Sequence, residues 1–335
     1  MKICFIAASN TIHSYKWIKY FYESGYEIVW ISTTPTLFKI PKGIHLVQLN
    51  PINNIIDLLR AIITSRREIV NFAPDLLHVH YVGINGLLAL FSGVNSIVAT
   101  AWGSDVIQGK LFFWRRLIIK KILSRARLVT CDAFHMRDEL MKLGISKERI
   151  KIINFGVDTQ HFSYKNVDNI NLNYLRTTNK LNVISLRDYE PIYDIENLIS
   201  SMPLVLTEVP NVQFILLGRG TLKNHIRSLV KDMHLDNSVV FLDYIDNAEM
   251  PNIMSIADVL VSTSLADAGI AGSTAEAMSC ELPVVVSDSG ENSRWINSGE
   301  NGFLVKVSDP NELAQKIILL LQNNTLLSPS IMRGH

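Results

Sequence analysis

The sequence predicts an α/β protein made of two doubly wound domains, each with a parallel sheet. The first observation is a strand, helix, strand rhythm near the start, where β-rich apolar runs at residues 3–7 and 26–32 flank an amphipathic helical pattern at residues 14–23. The second observation is that the rhythm returns after the middle of the chain. The alternating runs of this second half are residues 181–185, 195–206, 212–217 and 222–233. Both halves therefore predict the βαβ units of a parallel sheet.

Length and composition agree with this fold class. A chain of 335 residues is long enough for about two domains, and its 48% hydrophobic and 19% charged residues suit two buried cores. A net charge of +1 argues against general binding to nucleic acid. In doubly wound sheets ligands bind beyond the carboxyl ends of the strands, so residues just after strands are the candidate site residues.

Cysteine usage and apolar runs bear on the compartment. Cys4, Cys131 and Cys280 are an odd number without metal-ligand spacing, which favours a reduced cytosolic compartment. The apolar start of the chain is too short for a signal peptide and predicts a first buried strand. The sequence contains no run of about 18 uninterrupted apolar residues, so it predicts no membrane span. We therefore expect a cytoplasmic protein, with the inner face of the membrane as an alternative location.

A change of composition near the middle separates the two domains. Residues 158–182 are rich in asparagine and lack apolar periodicity, which is typical of a linker. We predict an N-terminal domain over residues 1–162, a linker over residues 163–179 and a C-terminal domain over residues 180–335.

The most informative segment covers residues 271–292. It places Gly272 and two good cap residues, Ser273 and Thr274, at the start of a predicted helix. Backbone N–H groups at a helix start, together with the helix dipole, attract an anion such as a diphosphate, whereas an ordinary helix cap is the alternative. The run Glu-Ala-Met-x-x-x-x-Pro-Val-Val-Val-Ser, which begins at Glu276, is more specific. In it the chain resembles the retaining glycosyltransferases of family 4.

This resemblance implies a GT-B fold, in which two Rossmann-like domains face a cleft, and transfer of a sugar from a nucleotide-diphosphate donor with retention. It places Glu276 on the second Glu of the family signature, which holds the donor ribose. The first Glu, which acts on the donor sugar, falls on Ala268, and Asp267 substitutes for it if the loop shifts by one residue. The donor-binding loop implied by the resemblance consists of Gly269, Ile270, Ala271, Gly272, Ser273 and Thr274.

The start of the second domain resembles the family's diphosphate-binding segment. Ser185-Leu-Arg187 corresponds to the family's Gly-Arg-Leu, which implies that Arg187 holds the donor diphosphate. An Arg suits this role because its rigid fork offers paired donors and stays charged. The family's Lys-Gly several residues later is missing, and with one inserted residue Tyr193 takes the place of the Lys.

Two further donor-site candidates follow the next strands. Arg219, within Gly218-Arg-Gly220, is a candidate to replace part of the missing charge, and a plain strand-to-helix turn is the alternative for the glycines. Residues 241–245 correspond to the family's base-reading loop, so Ile245 is a candidate wall of the base pocket. Hydrophobic packing is the alternative for Ile245.

The first half carries weaker matches to the family's acceptor side. His13 corresponds to the His of a glycine-rich loop where donor and acceptor meet, but the glycines are absent here. A helix-start residue bound to its own backbone is the alternative. His78-Val-His-Tyr-Val-Gly83 resembles the family's His-x-His-Tyr loop. We interpret His78 and His80 as pointing to opposite faces of their strand, which argues against a shared metal ion.

Thr100-Ala-Trp-Gly-Ser-Asp-Val106 resembles the family's His-Gly-Ser-Asp turn, with Trp102 in the place of the His. Trp102 and Asp105 are therefore candidate residues of the cleft. Asp105 either contacts substrate or braces the turn by accepting hydrogen bonds from backbone N–H groups. The segment from Gly156 to Phe162 matches one that closes the first domain in the family.

Residues 110–127 hold seven basic residues and no acidic one, beside Phe112, Phe113 and Trp114. A helix with this composition can rest on anionic lipid with its aromatic side chains at the interface. The alternative is a core helix with a solvated basic face.

Together these observations predict an enzyme, a hexosyltransferase-like glycosyltransferase that uses a UDP- or GDP-sugar. The acceptor is a glycan or a lipid-linked acceptor in cell-surface polysaccharide or glycolipid synthesis, and we expect no cofactor and no metal. The competing class is a non-catalytic GT-B scaffold or binding subunit. It is suggested by Ala268, Trp102 and Tyr193. It is also suggested by the end of the sequence soon after residues 310–322, where relatives have a long helix that crosses back; a truncated sequence is the alternative. A nicotinamide dehydrogenase is disfavoured because no Gly-x-Gly-x-x-Gly follows the first strand.

Overall fold

The computed structural model describes residues 1–107, 113–154, 156–164, 180–243, 245–267 and 269–323. The chain forms two compact units, Met1–Phe155 and Gly156–His335. Most of the predicted linker at residues 163–179 and the chain end at residues 324–335 lie outside the described residues. Within the described residues, no helix combines the length and the apolar character that crossing a membrane requires.

The boundary between the units lies earlier than predicted. The Phe162 side chain is buried in the second unit, in a cluster that includes Ile184 and Val286. Ser279 Oγ donates to the carbonyl oxygen of Phe162 over 2.6 Å. The interpretation of this segment as closing the first domain is therefore wrong, because its large apolar side chain packs in the core of the second unit.

The first unit is built on one parallel sheet. Its described strands are β1 (Lys2–Ile6), β2 (Glu27–Ser32), β3 (Ile44–Gln48), β4 (Leu76–His80), β5 (Ile97–Thr100), β6 (Leu128–Cys131) and β7 (Ile150–Ile152). They pair in parallel in the order β3-β2-β1-β4-β5-β6-β7. The chain winds outward from β1 to β3 and then returns to β4 on the other side of β1. The carboxyl ends of β1 and β4 therefore form the switch point at which such sheets bind ligands.

Helices cover both faces of this sheet. They are α1 (Ile12–Glu23), α2 (Ile55–Phe72), α3 (Ile84–Leu90), α4 (Ser104–Ile107), α5 (Phe113–Arg125) and α6 (Phe134–Lys142). Side chains of β1 alternate between the faces, so Phe5 packs with Ile18 of α1, whereas Ile6 belongs to the opposite cluster with Ala61 of α2 and Ile122 of α5. Burial on both faces explains why the strands are almost continuously apolar.

The second unit repeats this design. Its described strands are β8 (Leu181–Ser185), β9 (Val212–Leu217), β10 (Val239–Leu242), β11 (Val259–Ser262), β12 (Val284–Ser287) and β13 (Phe303–Val305). They pair in parallel in the order β10-β9-β8-β11-β12-β13. Its helices are α7 (Ile195–Glu208), α8 (Lys223–Asp232), α9 (Met250–Ser255), α10 (Gly272–Ser279) and α11 (Pro310–Gln322). The predicted fold class of two doubly wound α/β units is confirmed.

The basic segment at residues 110–127 is described from Phe113 onward. In α5, Ile119, Ile122 and Leu123 are buried in the core of the first unit, whereas Arg116 and Lys120 are exposed. The described part of α5 is therefore a core helix with a solvated basic face. Residues 110–112 lie outside the described residues, and attraction of this segment to anionic lipid stays a prediction.

Candidate functional site

A cavity of about 440 Å³ lies in the first unit, beside the carboxyl ends of β1, β4 and β5. Its walls come from the residues that follow these strands, as expected at a switch point. The surface of its lining is mostly apolar, and the residues that form it include His13, Ser14, Thr34, His80, Asn85 and Trp102. The cavity is large enough for one small ligand or for part of a larger one.

Trp102 lies between two of the histidines of this cavity. Its ring centroid is 5.4 Å from that of His13 and 5.5 Å from that of His80. His13 is the second residue of α1, and its place in the cavity wall agrees with the interpretation as a ligand-facing residue. Burial, with Lys16 as the second cause, lowers the pKa of the His13 imidazole, so the ring is neutral at pH 7. The cavity thus offers uncharged ring faces and ring nitrogens.

His78 and His80 lie on the same face of β4, with ring centroids 4.6 Å apart. The interpretation that they point to opposite faces is wrong, because side chains alternate along a strand and residues two apart share a face. His78 Nε2 lies 2.7 Å from Thr100 Oγ1, which in turn lies 2.8 Å from Thr130 Oγ1. These contacts tie β4 to β5 and β6 beneath the cavity.

His80 is a candidate that sequence reasoning did not select as a site residue. Its Nδ1 lies 3.4 Å from Ser14 Oγ, and its buried Nε2 has no hydrogen-bond partner among the described residues. A buried polar atom without a partner is costly unless a ligand or water satisfies it. His80 is the last residue of a strand that ends at the switch point, and this position was the signal that could have identified it.

Acid should destabilise the first unit through His78. Burial lowers the pKa of its imidazole to about 3, so the folded protein keeps His78 neutral while the unfolded chain protonates it near its ordinary value of 6.5. Below about pH 6.5 the proton binds the unfolded chain but not the folded protein, so the free energy of unfolding falls as the pH falls toward 3. Above about pH 6.5 His78 is neutral in both states and the full stability is present. For His78 alone we expect the free energy of unfolding to drop by about 2 kcal/mol between pH 7 and pH 5.

Urea unfolding followed by circular dichroism at pH 7, 6 and 5 measures this loss. The His78→Gln variant keeps an amide that can bond to Thr100 but cannot titrate, so its pH dependence should be smaller by the amount due to His78. Equal pH dependence in both proteins would contradict the prediction. Burial, with His78 as the second cause, also lowers the pKa of His80, whose contribution has the same sign. In the variant this contribution keeps its main cause, burial, and loses only the part due to His78.

Asp105 braces the turn after β5. Its Oδ2 accepts from the N–H of Val82 over 2.8 Å, and its Oδ1 accepts from the N–H groups of Trp102 and Val106, both over 3.1 Å. Burial raises the pKa of this carboxyl, and these hydrogen bonds oppose the rise. The prediction that Asp105 belongs to the cleft is not supported, because both of its oxygens are used to join the loops that follow β4 and β5.

In the second unit, the structure brings Arg187, Asp267 and Tyr193 together. Arg187 follows β8, and its Nη2 donates to Asp267 Oδ1 over 2.8 Å in an ion pair whose side chains are only 12% and 8% exposed. Its Nε donates to Ser262 Oγ, at the end of β11, over 2.9 Å. The guanidinium lies 5.2 Å from the centroid of the Tyr193 ring. The pairing of β8 with β11 places these residues side by side although the ion pair spans 80 positions of sequence.

Asp267 is held from its other side by Asn292. Asn292 Nδ2 donates to Asp267 Oδ2 over 3.2 Å and to the carbonyl of Ser287, at the end of β12, over 3.0 Å. Ser262 and Asn292 were both missed by sequence reasoning. Each lies at or just after the carboxyl end of a strand, so position was the available signal, but their side-chain partners are set by strand order. Ala268, where the family has a Glu, lies outside the described residues.

The loop that carries Tyr193 fits its proposed alignment with the family's Lys-Gly. Asp194, in the place of the glycine, has a φ of 45°, in the left-handed region that favours glycine. The carbonyl of Tyr193 accepts from Thr263 Oγ1 over 2.8 Å, which joins this loop to the one after β11. Tyr193 therefore lies beside Arg187, as expected of a residue in the position of the missing Lys.

Gly218 permits a close approach of two loops. A Cβ atom at this position would lie 2.4 Å from the carbonyl oxygen of Arg187. Arg219 points elsewhere, because its Nε donates to the carbonyl of Asp243 over 3.2 Å and its N–H donates to Asp188 Oδ1 over 2.9 Å. Arg219 is thus not brought to Arg187 in this structure, and its contribution to phosphate binding stays a prediction.

The predicted cap of α10 is wrong. The helix begins at Gly272 with Ala271 as its N-cap, and no side chain caps it. Ser273 and Thr274 lie inside the first turn, and Thr274 is buried. Since the cap residue is an alanine, no hydroxyl of the cap competes with a ligand for the first N–H groups of α10.

The remaining donor-site candidates surround this helix. Glu276 lies in the second turn of α10 and is half-buried. Gly269 and Ile270 form the bend before the helix, and Ile270 packs partly against the core. Ile245 also packs against this core, which supports the packing alternative for it. β10 extends to Leu242, so the predicted loop at residues 241–245 begins only after that residue.

Comparison with known proteins first defines the class of fold. The structure of Anabaena HepE in complex with UDP and glucose is similar, with a TM-score of 0.81 over 99% of this chain and 93% of that one, at 20% identity. Sucrose-phosphate synthase from Thermosynechococcus elongatus also has a TM-score of 0.81, over 99% and 92% of the two chains, at 19% identity. The two units therefore define a GT-B fold.

Family models then identify both units. A model described as Glycosyl transferase 4-like matches residues 2–133, and one described as Glycosyl transferases group 1 matches residues 181–323. The chain is 26% identical to the phosphatidyl-myo-inositol mannosyltransferase of Mycolicibacterium smegmatis over 329 residues, which cover 93% of this chain and 81% of that protein. The second unit therefore matches the group 1 glycosyltransferases and the first unit matches the glycosyltransferase 4-like family, so both units carry glycosyltransferase domains.

Other curated relatives match over a smaller part of their length. The N-acetyl-alpha-D-glucosaminyl L-malate synthase of Bacillus anthracis is 22% identical over 258 residues, which cover 75% of this chain and 66% of that protein. The match to spore coat protein SA of Bacillus subtilis covers 36% of that protein. The chain thus spans less than two-thirds of the length of these two relatives.

Proposed function

We propose that the protein is a retaining glycosyltransferase that moves a sugar from a UDP- or GDP-sugar to a glycan or lipid-linked acceptor. The observation that carries this proposal is the placement of Arg187, which Asp267, Ser262 and Tyr193 hold at the carboxyl ends of β8 and β11. A fixed guanidinium at this edge of a doubly wound sheet is suited to a diphosphate.

In this proposal different residues bind different parts of the donor. Arg187 and the N–H groups at the start of α10 supply donors to the diphosphate. In this proposal Glu276 accepts hydrogen bonds from the ribose hydroxyls, and Asp267 takes the role toward the donor sugar that the resemblance gives to the Glu absent at position 268. The cavity of the first unit, with the rings of His13, His80 and Trp102, takes the acceptor.

Retention follows if the acceptor attacks from the face that the diphosphate leaves. The bond from the anomeric carbon to the acceptor oxygen forms while the bond to the phosphate oxygen breaks, and that phosphate oxygen takes the proton of the acceptor hydroxyl. Negative charge grows on the leaving diphosphate, so its preorganised donors are worth most in the transition state. This route needs no side-chain base, no metal and no cofactor, which agrees with a Trp at position 102 in place of the family's His.

The relatives support the choice of substrates. HepE is named in complex with UDP and glucose, and the mycobacterial relative is named as a mannosyltransferase of phosphatidyl-myo-inositol. A nucleotide-diphosphate donor and an acceptor in glycolipid or polysaccharide synthesis are therefore the substrates that we propose.

Thermal-shift screening against UDP, GDP and their sugars tests the proposal. A ligand that binds the folded protein stabilises it by about 2.7 kcal/mol at 100 times its Kd, so the correct base should raise the unfolding temperature clearly. Donor consumption and the anomeric configuration of the product, both followed by NMR, then test transfer and retention. Absence of a shift with every nucleotide would contradict donor binding, whereas a shift without turnover over a panel of glycan and lipid acceptors would favour the non-catalytic subunit.

A further inference from the structure

Helix α2 of the first unit exposes an apolar face. Its inward side is lined by Ala61, Ser65 and Ile69, all buried. The large apolar side chains on its outward side are 53% to 69% exposed, and they are Ile55, Ile56, Leu59, Ile63 and Val70. At 100° per residue they fall within about 100° of arc and extend over about 22 Å of helix. A surface helix normally places polar residues on this side, so this face is arranged for contact with an apolar phase.

Three arginines share the exposed side of α2. Arg60, Arg66 and Arg67 are exposed and lie within or next to the apolar arc. The two acidic residues of the helix, Asp57 and Glu68, are only 23% and 24% exposed, and each lies beside one of these arginines, 3.8 Å from Arg60 and 3.2 Å from Arg67. The exposed face therefore combines apolar side chains with positive charge.

Positive charge continues on the neighbouring helices. α3 contacts both α2 and α5, and the three helices pack against the same side of the sheet. Their outer sides therefore point away from this sheet in the same general direction. On α5 the exposed cations include Arg116, Lys120, Lys121 and Arg125.

We propose that α2 docks this unit on the surface of an anionic phospholipid bilayer. Leu59, Ile63 and their apolar neighbours enter the boundary between head groups and acyl chains, while the arginines contact lipid phosphates. A second copy of the chain fits this face less well, because a symmetric contact would bring the arginines of both copies together. No residue of this surface lines the cavity or contacts Arg187 through the hydrogen bonds described above, so its test does not depend on sugar transfer.

Flotation of the full chain with vesicles tests this surface. We expect binding to phosphatidylcholine vesicles that contain phosphatidylglycerol and much weaker binding to pure phosphatidylcholine. The Leu59→Gln/Ile63→Gln variant should lose at least about tenfold in affinity at both 50 mM and 500 mM salt, because the lost term is apolar. The Arg60→Gln/Arg66→Gln/Arg67→Gln variant should lose its affinity mainly at low salt, where charges are least screened.

Matched variants in the second unit control for general surface changes. Leu204 is 41% exposed on α7 and Lys231 is exposed on α8, so Leu204→Gln removes an exposed apolar side chain and Lys231→Gln removes an exposed positive charge elsewhere. Both should bind vesicles like the wild type. Circular dichroism and the unfolding temperature verify that each variant is folded, and an Ile63→Cys protein supplies a second measurement.

The native cysteines Cys4, Cys131 and Cys280 are at most 3% exposed, so a thiol-reactive fluorophore labels the introduced thiol of the Ile63→Cys protein selectively. Nitroxide groups on the acyl chains should quench a label at position 63 but not one at Leu204→Cys. No binding to anionic vesicles, equal quenching at both sites, or α2 variants that bind like the wild type would overturn the proposal. If the Leu59→Gln/Ile63→Gln variant instead turned a lipid-free dimer into a monomer and left vesicle binding intact, a second copy would be the occupant.

Discussion

Arg187→Lys should weaken the binding of a nucleoside diphosphate by at least about tenfold. The guanidinium already donates one hydrogen bond from Nε to Ser262 and one from Nη2 to Asp267. Within the described residues Nη1 makes no hydrogen bond, so it is the part of the fork that can serve a phosphate while the rest stays held. A lysine ammonium carries the same charge, but as a single point it cannot bind Asp267, Ser262 and a phosphate in this geometry.

Isothermal titration calorimetry with UDP and GDP measures this loss. Arg219→Lys is the matched comparison, because Arg219 donates to the carbonyl of Asp243 and should change the affinity less. An Arg187→Lys protein with the affinity and turnover of the wild type would show that Arg187 does not hold the diphosphate.

Arg187→Ala should have a second effect, on stability. It leaves the carboxylate of Asp267, which is 8% exposed, without its cation, and stranding one partner of a buried ion pair costs about 3 to 5 kcal/mol. The Arg187→Ala/Asp267→Ala double variant should therefore be more stable than Arg187→Ala alone in urea unfolding. If the double variant is the less stable of the two, the uncompensated charge is not the cause of the loss.

The elements of this fold were predictable because their signals are local. Apolar periodicity predicted a helix at residues 195–206, and the structure has α7 at Ile195–Glu208. Strands at residues 181–185 and 212–217 agree with β8 and β9, since buried parallel strands are short continuous apolar runs. The parallel direction of the strands followed from the alternation of strands with helices.

The contacts of the site were not predictable in the same way. Arg187 and Asp267 were each selected, but their ion pair depends on the pairing of β8 with β11, which no local pattern encodes. The cap of α10 was misplaced by two or three residues, because Ser273 and Thr274 are better cap residues by type than Ala271, where the helix is capped in the structure. The sequence left the role of Asp105 open, because only the fold shows that its carboxylate accepts a hydrogen bond from the N–H of Val82 in another loop.

Glu276→Ala should weaken nucleotide binding about tenfold or more while the second unit remains folded. A carboxylate that accepts hydrogen bonds from ribose hydroxyls forms charged hydrogen bonds worth about 1.5 to 3 kcal/mol. The fold should tolerate the change, because α10 is anchored by its buried residues Thr274, Ala277 and Met278, whereas Glu276 is half-buried. Glu276→Gln should fall between the wild type and the alanine variant, since an amide oxygen still accepts a hydrogen bond but without charge. The exposed Glu208 on α7 provides the matched control, Glu208→Ala.

Nucleotides without ribose hydroxyls test whether Glu276 contacts those hydroxyls directly. The wild type should bind 2′,3′-dideoxy-UDP or dideoxy-GDP more weakly than the ribonucleotide, whereas the Glu276→Ala protein should bind both with nearly equal affinity, because the partner of the hydroxyls is already gone. The coupling between the two changes is then the energy of the contact itself. If Glu276→Ala weakens binding but still distinguishes the two nucleotides by the wild-type factor, another group holds the ribose and Glu276 acts through the shape of α10. Unchanged affinity of Glu276→Ala for the ribonucleotide would remove Glu276 from the donor site altogether.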